Sequence, residues 1–310
     1  MTGAPKFAVI VPTYQRASVL PRALGGVLAQ TEPSFELVVV DDGSTDDTGR
    51  VVAAIEDERV RYVRQDHAGV GAARNTGAGA SKAGILAFLD SDDEVSPQWL
   101  QQLGRGFRDP ACAVVSCGAE LVRDGRVRVS APRRLGPEFR GVTAQFLAGT
   151  FAVRREAFDA AGGYVPGLAY GENTELFLRL AAVCAERGWP MEAIPDPLLR
   201  AHESDRGPGY ARIQLEGAGY MLERHHESLS TNPGTVADLA GTAGVAAARL
   251  GDYERARSFL LQAARARPSV RAWARVAVAT VPPVARRVWK HAEEQEAGRP
   301  LHEVPAEVRS

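Results

Sequence analysis

The chain has 310 residues, 45% hydrophobic and 24% charged, a composition that excludes a disordered chain and one built from membrane spans. With 37 basic against 38 acidic residues the formal net charge is −1. Overall charge therefore attracts neither nucleic acid nor an anionic membrane; no nucleic-acid partner is expected, and any membrane contact needs a local patch.

The first elements alternate. A strand at Phe7 to Val11 is followed by a helix from Ser18, a predicted N-cap, to Gln30, and then by a strand at Phe35 to Val40. A short helix near Asp46 to Ile55, a strand at Val60 to Val63, a helix at Val70 to Ala80 and a strand at Ile85 to Leu89 complete a β-α-β-α-β-α-β order. Such alternation predicts a mostly parallel, Rossmann-like sheet flanked by helices, with ligands at the carboxyl ends of its strands. After Pro97 come a helix to Phe107 and strands at Ala113 to Val122 and Val127 to Val129, joined by the turn pair Asp124-Gly125. Arg123 to Arg140 holds six arginines and reads either as a solvated loop or as a flap over an anionic ligand. A helix from Asn173 to Arg187, a strand at Met191 to Ile194 and an all-helical region from Tyr210 follow, broken at Pro233-Gly234, Gly251-Asp252 and Pro268. Asp252 to Arg267 resembles one helix pair of a tetratricopeptide repeat, and reads as a cap or as a partner surface.

Cys112, Cys117 and Cys184 show neither CxxC spacing nor a histidine cluster, so buried thiols in a reducing compartment are expected. The start, MTGAPKFAVIVPTY, lacks a small-residue cleavage site and is broken by Pro12, so it does not read as a secretory signal. The most apolar late stretch, Val270 to Val288, contains Arg271, Arg275, Arg286, Arg287, Pro282 and Pro283, which argues against a transmembrane anchor. The expected location is cytoplasmic, with peripheral membrane association left open.

Four constellations carry chemistry. In AVIVPTYQR, residues 8–16, a strand ends where Tyr14 can offer a ring to a nucleobase and Thr13 hydrogen bonds. In LVVVDDGSTDDT, residues 37–48, Asp42 either accepts from a base or ribose or is a turn and capping residue. HAGVGAARNTGAGASKAG, residues 67–84, fails both the dinucleotide and the P-loop templates. It reads as a helix whose Gly77, Gly79 and Ala80 approach the sheet, with Arg74 at an exposed edge within reach of a phosphate or base. In ILAFLDSDDEVSP, residues 85–97, Asp90, Asp92 and Asp93 crowd a strand end; one could cap a helix, but three repel unless a hard cation such as Mg²⁺ or Mn²⁺ neutralises them, and such a cation grips a diphosphate.

Taken in order, VPTY, VVDDGSTD, GAARNTG and FLDSDD resemble the family 2 glycosyltransferases, inverting enzymes of GT-A fold, over residues 6–205. The resemblance implies a GT-A domain at 1–207, with a helical region at 208–291 and a flexible tail at 292–310. It implies a nucleoside-diphosphate sugar, a UDP-sugar by preference, bound by Pro12, Thr13, Tyr14, Arg16, Asp42, Arg74, Asp90 and Ser91. Asp92 and Asp93 would hold the metal, Mn²⁺ or Mg²⁺, with His202 from PLLRAHESDR as a further ligand. The family's base is an aspartate in a GED motif; here the order is Gly171-Glu172-Asn173, and Asn173 cannot take a proton, so Glu172 becomes the candidate base with Glu175 behind it. That departure keeps a second reading alive, a non-catalytic nucleotide-sugar or glycan-binding protein. A sugar nucleotidyltransferase is a weaker rival, because its Gly-rich basic N-terminal signature is missing. The acceptor is left open among glycan, lipid, peptide and small metabolite.

Overall fold

The computed structural model describes residues 6–202 and 209–289. These form two compact units. The first is built from the chain through Leu135, Phe139–Gly167 and the stretch beginning at Leu176; the second takes Gly136–Glu138, Leu168–Glu175 and the C-terminal helices.

In the first unit, β1 (Phe7–Thr13), α1 (Leu20–Leu28), β2 (Phe35–Asp41), α2 (Thr48–Ala53), β3 (Val60–Arg64), α3 (Val70–Ala80) and β4 (Ile85–Phe88) follow the alternation read from the sequence. Strands β1 and β4 are buried throughout and β2 nearly so, as befits parallel strands covered on both faces, whereas β3 carries Arg61 and Arg64 on the sheet's edge. Helix α1 starts later than expected: Val19 occupies the cap position with no side-chain bond, so Ser18 does not cap it. The chain continues through β5 (Glu94–Val95), α4 (Trp99–Gly106), β6 (Val114–Arg123), β7 (Arg126–Ser130), β8 (Arg133–Arg134), β9 (Thr143–Ala144), β10 (Phe151–Arg154) and α5 (Arg155–Ala160). Helix α6 (Glu172–Arg187) and β11 (Met191–His202) close the unit, although the first turn of α6 counts with the second.

The main sheet runs β3-β2-β1-β4-β10-β6-β11-β5, with β7 added on β6. It is parallel from β3 to β4 and becomes mixed beyond, since β10 is antiparallel to both β4 and β6. Asp124 (φ 49°) and Gly125 (φ 73°) form the expected hairpin between β6 and β7, both left-handed as such a tight turn requires. The arginine-rich stretch is therefore not a single loop: Arg126 and Arg128 lie on β7, and Arg133 and Arg134 pair with β9 in a separate two-stranded ribbon. β11 runs well past the predicted Ile194, shifting register around Pro197 before Leu199 pairs with Val95 of β5.

Helix α3 lies close to the sheet because it lacks side chains there. A Cβ on Gly77 would come within 2.5 Å of Ile10 Cγ2, and one on Gly71 within 2.9 Å of the Val165 carbonyl oxygen. Gly79, expected to share this role, faces open space instead. The three cysteines are free and buried.

The second unit contains α7 (Tyr210–Arg224), α8 (His226–Ser230), α9 (Pro233–Arg249), α10 (Tyr253–Ala266), α11 (Val270–Ala279) and α12 (Pro282–Val288). The predicted breaks are helix starts with side-chain caps: Asn232 accepts from the amides of Gly234 and Thr235, Asp252 from Arg255 and Ser269 from Ala272. Asp252 to Arg267 is one helix, not a pair; its partner is α9, whose Gly244 leaves room for Leu260. Among the described residues no helix is long and apolar enough to cross a membrane. The predicted tail at 292–310 lies outside the described residues.

Candidate functional site

Parallel pairing in register brings the carboxyl ends of β1, β2 and β4 together, since Thr13 sits opposite Asp41 and Ile10 opposite Phe88. The segments leaving these ends hold the predicted donor-binding residues. Pro12 and Thr13 are buried within β1, and the Thr13 carbonyl accepts from the Asp42 amide at 2.9 Å. Tyr14 leaves the strand and stacks on His67, the ring centroids 4.2 Å apart and the planes 27° from parallel.

His67 is a residue that the sequence reading passed over. It follows β3 and opens the segment leading into α3, so its position at a strand's carboxyl end was the available signal. The Asp42 carboxylate ties this corner together. It accepts from the amides of Ala68 (2.9 Å) and Gly69 (2.8 Å) and from Gln65 Nε2 (2.6 Å), with His67 Nδ1 at 2.9 Å. Three N–H donors, with the imidazole nitrogen beside them, engage both oxygens of the carboxylate. Asp42 thus holds the chain that enters α3, and Gly69, at φ 90°, turns that chain into the helix. Asp41, fully buried, serves the neighbouring turn by accepting from the Ser44 amide and from Tyr62 Oη.

Arg74 does not stand at an exposed edge. It is 1% exposed, and its guanidinium donates to Asp90 Oδ1 at 2.7 Å and lies 4.9 Å from the centroid of the Tyr164 ring. The pair is one-sided in solvent terms, because the Asp90 side chain is 41% exposed. Arg74 therefore aims Asp90 outward. Burial corrects the exposed placement expected for Arg74, and its observed partner is Asp90.

After Asp90 the acidic turn runs through Ser91, buried, and Asp92, half-buried and 3.7 Å from an Arg16 amino group. Arg22 on α1 donates to the Asp92 carbonyl and lies 3.6 Å from Glu94. Asp93 is buried, and its carboxyl is pushed up to about 8 by burial first and then by the charges of Asp90 and Asp92. The extension of β11 delivers His202 here: its amide donates to Asp93 Oδ1 at 2.8 Å. Its ring, however, turns to Glu94, with Nε2 2.7 Å from Oε1. Among the described residues no three carboxylate, histidine or cysteine side chains converge on a common point as a metal set.

Residues 8–162, half of the chain, match the profile described as Glycosyl transferase family 2. The chain belongs to that family. Relatives of this family 2 chain include validoxylamine A glucosyltransferase from Streptomyces hygroscopicus, 40% identical over 147 residues, covering 46% of this chain and 33% of that protein. Another is the succinoglycan biosynthesis protein ExoO from Rhizobium meliloti, 44% identical over 100 residues, covering 32% of this chain and 29% of that protein. The chain spans about a third or less of the length of the curated relatives it matches. Among solved structures, S. aureus TarS 1-349 in complex with UDP-GlcNAc superposes with TM-score 0.62 at 18% identity, covering 91% of this chain and 87% of that one. A mannosyltransferase from Pyrobaculum calidifontis in complex with GDP-Man and Mn²⁺ gives 0.54 at 22% identity, covering 93% and 84%. These likenesses confirm the GT-A fold expected from the sequence.

In the second unit, the family 2 chain places Glu172 and Asn173 in the first turn of α6, where Asn173 Nδ2 donates to Glu172 Oε1 at 3.1 Å. Gly171 precedes them at φ 75°, and a Cβ there would come within 2.8 Å of Met221 Cε. Glu175 is 1% exposed and 3.0 Å from His225 Nε2, which removes it from contact with an acceptor in solution.

Proposed function

We propose that this chain is an inverting glycosyltransferase that moves a sugar from a nucleoside-diphosphate sugar, a UDP-sugar by preference, to an acceptor hydroxyl. The observation that carries the reading is the clustering, at the carboxyl ends of β1, β2 and β4, of an aromatic pair, an arginine-held aspartate and an acidic turn. Ligands of parallel α/β sheets bind at those ends. The bound UDP-GlcNAc of TarS and the GDP-Man with Mn²⁺ of the mannosyltransferase support the same class of donor.

The acidic turn offers carboxylates to a divalent cation, although the side chains do not converge on one point as they stand. Asp90, Asp92 and Asp93 lie on one turn, Asp93 is buried beside two other carboxylates, and a hard cation relieves such crowding. Asp92 and Asp93 would hold it, and it would neutralise the charge of the departing diphosphate. His202 fits this set only if its ring leaves Glu94. Tyr14 and His67 supply ring faces for the base, and Arg74 fixes Asp90 in position to accept from a ribose hydroxyl. Arg16, 48% exposed, exchanges its contact with Asp92 for a phosphate oxygen. Glu172 takes the proton of the acceptor hydroxyl, whose oxygen attacks the anomeric carbon opposite the leaving nucleoside diphosphate and inverts its configuration.

A second reading rests on Asn173 standing where the family has its aspartate: a protein that binds nucleotide sugars without turning them over. Nucleoside diphosphate released from UDP-glucose, UDP-N-acetylglucosamine or GDP-mannose, with Mn²⁺ present, separates the two. Transferase activity predicts release with at least one donor and a fall of roughly 10²–10³-fold in Asp92→Ala, the usual size of losing an electrostatic stabiliser. Binding of these donors without release from any would establish the second reading.

A further inference from the structure

The helices α11 and α12 present a surface that none of the donor chemistry uses. On α11, Val270, Trp273 and Ala277, and on α12, Val284 and Val288, recur every three or four residues, with Val281 between the helices, and all are exposed and apolar or small. Val270 is 90% exposed, Trp273 47% and Val288 55%, an unusual run for a soluble surface. Between them stand Arg271, Arg275, Arg286 and Arg287, and from Pro268 to Trp289 the chain carries no carboxylate. Among the described residues these four arginines have no ion-pair partner, in contrast to Arg267, which pairs with Asp238.

Beside this stripe is a groove of about 180 Å³. Gly241, Leu260 and Ala263 give it an apolar lining, and Arg267, Arg271 and Arg275 give it positive charge. A Cβ on Gly241 would lie 3.8 Å from Arg275 Nη1, so the small residue leaves space beneath that guanidinium. An apolar floor beneath Arg271 and Arg275, neither of which has an ion-pair partner among the described residues, suits an amphipathic anion whose charge is carried at one end.

We propose that α11 and α12 form a docking face for an anionic lipid surface, with Trp273 and the valines entering the interfacial layer and Arg271, Arg275, Arg286 and Arg287 taking lipid phosphates. Exposed valines and a tryptophan gain from leaving water, and the tryptophan's amphipathic ring suits the headgroup level. The unpaired arginines commit the surface to a negative partner. The near-neutral chain as a whole supplies no such attraction, so the local patch sets the specificity.

The test is co-sedimentation of the full chain with vesicles of phosphatidylcholine alone and with a quarter phosphatidylglycerol. The proposal expects binding to the anionic vesicles only, weakened by salt, with Trp273 fluorescence shifted to the blue relative to a Trp273→Phe control. Arg271→Gln/Arg275→Gln/Arg286→Gln/Arg287→Gln should lower binding at least tenfold, since each basic residue near such a surface contributes about fivefold. All four positions lack partners among the described residues, so the variant should keep its circular dichroism and melting temperature. Equal binding to both vesicle types, no binding to either, or an unchanged quadruple variant that remains folded would overturn the proposal. Binding that appears only after deletion of residues 290–310 would assign the face to that segment instead.

Discussion

Arg74 is placed to act through Asp90. Its guanidinium is buried, and its charge is balanced by Asp90, whose own side chain is 41% exposed. Asp90→Ala should therefore do two things: leave a buried cation without its acceptor, lowering stability by about 1.5–3 kcal/mol in urea denaturation, and weaken nucleotide binding. Asp90→Asn keeps an acceptor for Arg74 and should restore most of the stability while leaving binding impaired, which separates the two roles. Glu172 belongs to the same scale. Glu172→Gln preserves shape and the acceptance of a bond from Asn173 but removes the basic carboxylate. It should cut turnover by about 10²–10⁴-fold with donor affinity unchanged, as titration calorimetry beside a turnover assay would show. Equal loss of affinity and turnover would place Glu172 in donor binding instead.

At the scale of elements, α3 rests on β1 and β2 through absent side chains. Gly77→Ala puts a methyl 2.5 Å from Ile10 Cγ2 and should destabilise by about 1–3 kcal/mol. Gly79→Ala, on the same helix but with nothing within 4 Å, should stabilise by about 0.5–1 kcal/mol. Opposite signs in thermal melts would confirm which face of the helix touches the sheet. The sequence revealed this helix and the strands around it because apolar runs and small-residue spacing are local signals. It did not reveal β5, β9 or β10, whose two to four residues are too short to show a period and exist through pairing with distant strands. The same limit hid the reach of β11, which passes Pro197 with a register shift and so brings His202 beside Asp93. The acidic turn was legible as residues, but that Arg74 is buried under Tyr164, and that His67 stacks on Tyr14, depends on tertiary packing.

For the whole molecule, the buried thiols report on the integrity of the first unit. Burial pushes Cys112 up to about 11, Cys117 to about 12 and Cys184 to about 11. Because these folded values exceed the ordinary thiol value of 9.0, the stability linked to the thiols is intact below about pH 9. It is lost as pH rises toward 12, where an unfolded chain ionises its thiols and the native one resists. A thiol reagent at pH 8 should therefore label none of the three until denaturant unfolds the chain; labelling under native conditions would show that the unit opens locally. The proposed transfer requires the carboxyl ends of β1, β2 and β4 to form one donor site that a cation completes. The most direct measurement is calorimetric titration of UDP into the folded chain with and without Mn²⁺, repeated on Asp92→Ala. We predict binding that Mn²⁺ tightens in the native protein and fails to tighten in the variant. A cation effect that survives Asp92→Ala, or no uptake of UDP with Mn²⁺ present, would contradict it.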